Sequence, residues 1–310
     1  MERTLVKPEK VGNVVLTDRD KRWIRAAHRF GVITTDQAMV IGRASSRKAV
    51  NDRLSLLWAH DYLARPVEVM RKLYSHADKR HVLHMLGQEG ARYLRDYEGV
   101  ELAKKKGYTS VAQDLKGQNI PHDIGMVDFI LALDRAVEDR SDIRVTHQLE
   151  LLALNKRPLD QKPGRLPTKA LRKGSLVDRA TDPDYTFELH KRTPEGDERH
   201  GLCFLEYDND SEDFVKSNLV DSSIRQKHEG YTYAYKRKLH TQLYGRNNFR
   251  VLFVVNASRD RVKKMQRVYQ DYLSERIAPG VFLYATVHDV QAHGVFGEIW
   301  TNGAGERVVL

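Results

Sequence analysis

Two stretches near the middle of the chain decide how the rest is read: Asp182-Pro183-Asp184-Tyr185-Thr186-Phe187-Glu188-Leu189 and Leu202-Cys203-Phe204-Leu205-Glu206-Tyr207-Asp208. Each has the length and composition of a strand and carries a carboxylate where its apolar run meets acid. The turn signal Thr193-Pro194-Glu195-Gly196-Asp197 separates them. Two neighbouring strands of this kind would present Asp184 and Glu206 side by side. Paired carboxylates are the outline of a site for a hard divalent cation such as Mg2+ or Mn2+, with Asp208 as a third acidic ligand.

Outward from this pair, Ile120-Pro121-His122-Asp123 opens a helix with Ile124, Val127, Ile130, Leu131 and Val137 at helical spacing, and Ile143–Leu149 reads as a first strand. His122 and Asp128 of that helix are candidate additional site residues. Residues 155–177 hold three prolines, two glycines and seven basic side chains, and are expected to form an irregular loop. A long helix beginning near Phe214 or Leu219 and including Ile224, Gln226, Lys227, Tyr231, Tyr235 and Leu239 follows the acids. The continuous apolar run Phe249–Val255 is expected at the centre of a sheet covered on both faces. A helix near 259–276 and a strand over 281–286 complete a mixed α/β sheet domain over 120–310, with helices on both sides.

The first part of the chain has a different character. Of the formal charge of +10, residues 1–119 supply 23 lysines and arginines against 14 acids, whereas residues 120–310 are almost balanced at 29 against 28. A basic module joined to a near-neutral domain points to nucleic acid. Thr17 is a helix N-cap with Asp18 and Asp20 in the first turn, and Gly31 ends that helix. Thr34 and Gln37 have capping-box spacing before a second, short helix. A third helix begins at Ser45-Ser46 and carries Val50, Leu54 and Leu57 on one side. Tyr62–Val67 and His81–Leu86 then read as two strands joined by a tip of His76, Ala77, Asp78, Lys79 and Arg80, and a last helix starts at Gly87. The order is that of a winged helix-turn-helix over residues 14–98, followed by a polar linker over 99–119.

In such a module the start of the third helix enters the major groove of double-stranded DNA. Arg47, Lys48 and Asn51 are then the expected DNA contacts, with Arg43 in the preceding turn and Lys79 and Arg80 on the wing. His76, His81 and His84 make a poor zinc site, because His81 and His84 lie on opposite faces of a strand and no cysteine is near. The single cysteine, Cys203, reads as core filler and excludes an internal disulfide. There is no run of eighteen apolar residues, and Met1–Pro8 lack the apolar segment of a signal peptide. A cytoplasmic chain without a membrane partner is expected.

Two resemblances attach to these residues. Leu16-Thr17-x-Arg19-Asp20, Ile33-Thr34-Thr35-x-Gln37-Ala38, Arg53-Leu54-x-x-Leu57, Tyr62-Leu63 and Glu206-x-Asp208, in this order, resemble the replication-relaxation family of plasmid and mobile-element proteins. That likeness implies a DNA-binding role in plasmid replication, DNA relaxation or mobilisation, with a relaxase or replication protein, or a second copy in a homodimer, as partner. Residues 120–256 resemble the PD-(D/E)xK nuclease core: Pro183-Asp184 and Glu206 match its acids, and Gln226 with Tyr231 is similar to the Gln/Tyr helix of RecB-like members. The superfamily implies a magnesium-dependent nuclease whose lysine assists the attacking water. Here Asp208 stands in the lysine's place and cannot supply positive charge. Three readings stay open. Lys227, or Lys216, replaces the lost lysine in a working endonuclease or nickase; the core is a degenerate scaffold that binds without cutting; or the acids only cap strands and solubilise an edge. A protein-interaction adaptor within a relaxation complex is a further class.

Overall fold

The computed structural model describes residues 5–74, 82–102, 120–138, 140–156, 164–172, 175–210, 213–214 and 223–310. Contacts divide the chain into two compact units, Met1–Leu131 and Ala132–Leu310.

In the first unit, local hydrogen-bonding chemistry starts the helices. The Thr17 hydroxyl accepts from the Asp20 amide while the Asp20 carboxylate accepts from the Thr17 amide, and this reciprocal cap opens α1 (Asp18–Phe30), which Gly31 ends at φ 77°. The same device between Thr34 and Gln37 opens α2 (Thr35–Gly42), and Ser46 caps α3 (Arg47–Ala59). Trp23, Ile24, Val50, Leu54 and Leu57 are all fully buried in one core. Val32–Thr34, between α1 and α2, forms a strand, β1, that the sequence reading did not foresee. It pairs with β3 (Leu83–Leu86), which also pairs with β2 (Leu63–Ala64), giving a three-stranded antiparallel sheet in the order β1-β3-β2. A last helix, α5, spans Gln88–Glu98.

The strand expected over 62–67 stops at Ala64, because Pro66 has no N–H to give a ladder. The Pro66 carbonyl instead accepts from Met70 at 2.9 Å and begins α4 (Val67–Tyr74), whose Met70 is fully buried. The expected wing tip, including Lys79 and Arg80, lies outside the described residues, as does most of the expected linker. α6 (Ile120–Glu138) crosses the division between the units. Its first residue, Ile120, is buried in the first unit with Val32, Met70 and Leu83.

The second unit is a mixed α/β structure. β4 (Ile143–His147) leads into α7 (Gln148–Leu154); β7 (Tyr185–Arg192) and β8 (Glu198–Asp208) follow, then α8 (Ile224–Lys236), α9 (Leu239–Tyr244), β9 (Phe249–Val255), α10 (Arg259–Tyr272), β10 (Phe282–Thr286), α11 (Val287–His293), β11 (Trp300–Asn302) and β12 (Arg307–Val308). They build a seven-stranded sheet in the order β12-β11-β10-β9-β8-β7-β4, with β8, β9 and β10 parallel and the outer pairs antiparallel. Every residue of β9 from Val251 to Val255 is buried, so both sheet faces are covered there, as its continuous apolar run requires. One face joins Leu202, Phe204 and Phe253 to Tyr231 of α8 and Met265 of α10. Burial of each such side chain contributes roughly 1.5–3 kcal/mol.

The loop expected over 155–177 is only partly irregular: Leu166–Arg172 (β5) and Ser175–Thr181 (β6) pair antiparallel as a separate two-stranded ribbon. Pro167 misled the reading, since both strands of a ribbon are edge strands, where proline is tolerated. The expected long helix is also broken: Lys238, at φ 53°, separates α8 from α9. Among the described residues no helix is long and apolar enough to cross a membrane.

Candidate functional site

The β7–β8 register brings the central acids together. Tyr185 lies opposite Leu205, so the next pair along the two strands is Asp184 and Glu206. Asp184 is clamped to β8 twice: its amide donates to the Leu205 carbonyl at 3.0 Å, and its Oδ2 accepts from the Tyr207 amide at 2.8 Å. Glu206 lies between β7 and β9 and is 1% exposed. Its Oε1 accepts from the Tyr231 hydroxyl at 2.5 Å, and its Oε2 is 2.7 Å from the Lys227 ammonium. Lys227 and Tyr231 are four residues apart on α8 and therefore share one helix face, aimed at one carboxylate.

The electrostatics follow from burial. Removal from water pushes the Glu206 carboxyl up to about 7; the Asp184 charge adds to that effect, while Lys227 and Tyr231 oppose it. Burial and the Glu206 charge hold the Tyr231 hydroxyl well above its usual range, so it stays a donor. The result is a carboxylate pair, Glu206 buried and Asp184 half-buried, with an ammonium on one side, a donor set suited to a hard, oxygen-seeking cation.

Asp208 is used differently. Arg261 of α10 grips both of its oxygens, through Nε on Oδ2 and through Nη2 on Oδ1 at 2.9 Å, and a third nitrogen reaches Asp210 at 2.8 Å. The Phe214 ring lies 4.8 Å from the guanidinium. Asp208 is thus committed to a buried fork, and Asp184, Glu206 and Asp208 do not form a close three-ligand group among the described residues. Lys216 lies outside those residues. Asp128 accepts from Gln37 at 2.8 Å within the first unit, and His122 is 3.5 Å from Asp123.

On α3, Arg47 and Lys48 are exposed and paired with Asp36 and Asp52, and Asn51 is half-buried beside them. Arg43 is exposed in the turn after α2, at φ 49°. Arg53 of α3 turns inward to Asp20, which is fully buried. Burial works to raise that carboxyl, but hydrogen bonds from Arg53 and Thr17 outweigh it and hold Asp20 below its ordinary value. His84 is fully buried, with its Nε2 3.1 Å from the Thr35 hydroxyl. Cys203 is buried, which pushes its thiol up to about 12.

Two features escaped the sequence reading. Arg261 sits 53 residues from Asp208 with no local signal of the contact. Glu188, His190 and His200 gather on β7 and β8 within 4.8 Å of one another. Strand alternation could have put Glu188 and His190 on one face, but bringing in His200 needed the hairpin register. Compared with known proteins, the chain matches no family model, no curated protein and no solved structure.

Proposed function

We propose that the chain acts on double-stranded DNA, binding it through the first unit and hydrolysing a phosphodiester bond with a divalent metal at Asp184 and Glu206 of the second. One observation carries the reading: the Lys227 ammonium, 2.7 Å from Glu206, supplies from α8 the positive charge that Asp208 cannot supply from β8. With α7, the β5–β6 ribbon and α9 as insertions, the succession α6, β4, β7, β8, α8, β9, in which β4, β7, β8 and β9 are adjacent in the sheet, fits a PD-(D/E)xK core and supports this assignment. The order α1-β1-α2-α3-β2-α4-β3-α5, with sheet order β1-β3-β2, fits a winged helix that carries α4 between its last two strands, with α3 as the reading helix. Arg43, Arg47, Lys48 and Asn51 would then meet the duplex, and Lys79 and Arg80 the flanking backbone.

Asp184 and Glu206 would hold magnesium or manganese, which when bound makes its water a nucleophile and offsets charge on the phosphate. Tyr207 and Tyr231 fix one oxygen of each acid by hydrogen bonds. Lys227, a point charge on a flexible stem, can leave Glu206 to orient the attacking water or face the scissile phosphate. The biological setting proposed is that of a cytoplasmic replication-relaxation protein of a plasmid or mobile element, acting in replication, relaxation or mobilisation beside a relaxase or replication protein. A second reading, a duplex-binding scaffold that does not cut, is favoured by the commitment of Asp208 to Arg261.

Incubation with supercoiled, linear, single-stranded and branched DNA in Mg2+ or Mn2+ separates the two. The expected result is nicking or cleavage that Asp184→Asn, Glu206→Gln and Lys227→Met each reduce by at least about a hundredfold, with duplex affinity retained. Binding without turnover on any of the four substrates would establish the scaffold instead.

A further inference from the structure

The second unit carries a polar cluster outside the candidate active site. Alternation along β7 sends Glu188 and His190 to one face, and the register sets His190 opposite His200 of β8. Glu188 Oε2 lies 3.3 Å from His190 Nε2, and Glu188 Oε1 lies 3.9 Å from His200 Nδ1. One donor atom from each of the three residues falls within 4.8 Å of the others, the single such group of His, Cys, Asp and Glu among the described residues.

We infer that Glu188, His190 and His200 form a binding site for a zinc-class transition-metal ion that clasps β7 to β8. Two imidazoles and one carboxylate suit Zn2+ rather than Mg2+, which prefers oxygen alone. Bonds of about 2.0–2.1 Å in tetrahedral geometry place donors about 3.3 Å apart. The 3.3 Å separation is to Glu188 Oε2 and the 3.9 Å one to its Oε1; taken with one donor atom per residue the set spans up to 4.8 Å, which closes by side-chain movement. Glu188 is 1% exposed and His190 7%, whereas His200 is 35% exposed and leaves a way in from solvent and a fourth position for water.

The surroundings fit an outer shell. Glu198 lies toward the opposite nitrogens of both rings, 3.5 Å from His190 Nδ1 and 3.9 Å from His200 Nε2, where a second carboxylate orients metal-bound imidazoles. Arg246 engages both oxygens of Glu188, through Nε on Oε1 and Nη2 on Oε2. Each carboxylate oxygen has a further lone pair, so the fork orients Glu188 without using it up. Two contacts compete with the ion: Thr146 Oγ1 is 2.8 Å from His190 Nε2, and Arg144 Nη2 is 3.0 Å from His190 Nδ1. Binding requires Thr146 to release Nε2 and Arg144 to release Nδ1, because a guanidinium only donates and a ring bound through Nε2 carries its proton on Nδ1, where Glu198 can accept it. Two guanidiniums already balance Glu188 and Glu198, so the ion adds net positive charge and binds less tightly than at a thiolate site.

The test uses the full chain, stripped with chelator and dialysed against ZnCl2 or CoCl2, with bound metal counted. An Asp184→Asn/Glu206→Gln background removes the other acidic pair. One Zn2+ per chain should persist in that background, Co2+ should give the intense visible bands of a tetrahedral site, and Zn2+ should raise the melting temperature. His200→Ala, a substitution at a partly exposed position, should abolish all three signals. Glu198→Gln should weaken binding about tenfold. Absence of bound Zn2+ in the Asp184→Asn/Glu206→Gln protein, or equal binding by His200→Ala, would overturn the site.

Discussion

On α3, Lys48 meets Asp52 and Arg47 meets Asp36 with all four side chains more than half exposed, whereas on β8 Glu206 meets Lys227 and Asp208 meets Arg261 with the carboxylates 1% and 3% exposed. The surface pairs lie in high dielectric and contribute little, so their basic side chains can change partner at little cost. The buried pairs have given up hydration, and neither partner can be removed without stranding the other. Within the buried region a second difference matters. Asp208 is gripped by a planar fork that satisfies both oxygens, while Glu206 is held by one ammonium and one hydroxyl, of which the ammonium can swing. The first arrangement locks the end of β8; the second holds its carboxylate through a flexible ammonium.

The comparison breaks most sharply at Arg261. Arg261→Met should cost about 3–5 kcal/mol in urea unfolding, because it leaves Asp208 charged and buried; adding Asp208→Leu should restore most of that loss. If the single change proves neutral, the fork does not carry the end of the strand.

Next in size is the pH dependence set by Glu206. Its folded carboxyl lies near 7 against an ordinary value of 4.5, so between these values the folded state holds the proton more tightly than the unfolded chain. The associated stability is fully present below 4.5 and is lost as pH rises through 7, an effect of the order of 3 kcal/mol. Unfolding midpoints measured in chelator across this window should fall with pH, and Glu206→Gln should flatten that fall. An unchanged slope in the variant would place the titration elsewhere.

The smallest structural effect is expected on α3. Arg47→Ala with Lys48→Ala should leave the urea unfolding midpoint nearly unchanged. Duplex affinity should nevertheless drop at least about tenfold, and the salt dependence should become shallower by about one to two units on a log–log plot. Fluorescence anisotropy at several salt concentrations reads both quantities. Unaltered affinity would remove α3 from the interface.

Much of the local structure was legible. Thr17 with Asp20, Thr34 with Gln37, and Gly31 mark helix ends because capping is a contact over three or four residues. The β9 run announces its burial because no polar residue interrupts Val251–Val255. Where the structure departs from the expected elements, a local proline effect or a distant pairing decides. Pro66 opens α4 instead of continuing a strand, and the β5–β6 ribbon forms through a stretch punctuated like a loop. β1 is three residues long and exists only because β3 returns beside it.

The sequence alone determined that Asp184 and Glu206 fall where two apolar runs meet acid, that Asp208 follows Glu206 by two residues, and that the basic excess falls before residue 120. These are matters of composition, alternation and short-range order, which the chain carries in its own register. The tertiary structure decided that Lys227 reaches Glu206, that Arg261 takes Asp208, and that His200 joins Glu188 and His190. Each of these depends on strand register or on how a helix docks against the sheet. Those are set by burial summed over the whole core, which no short stretch of sequence contains.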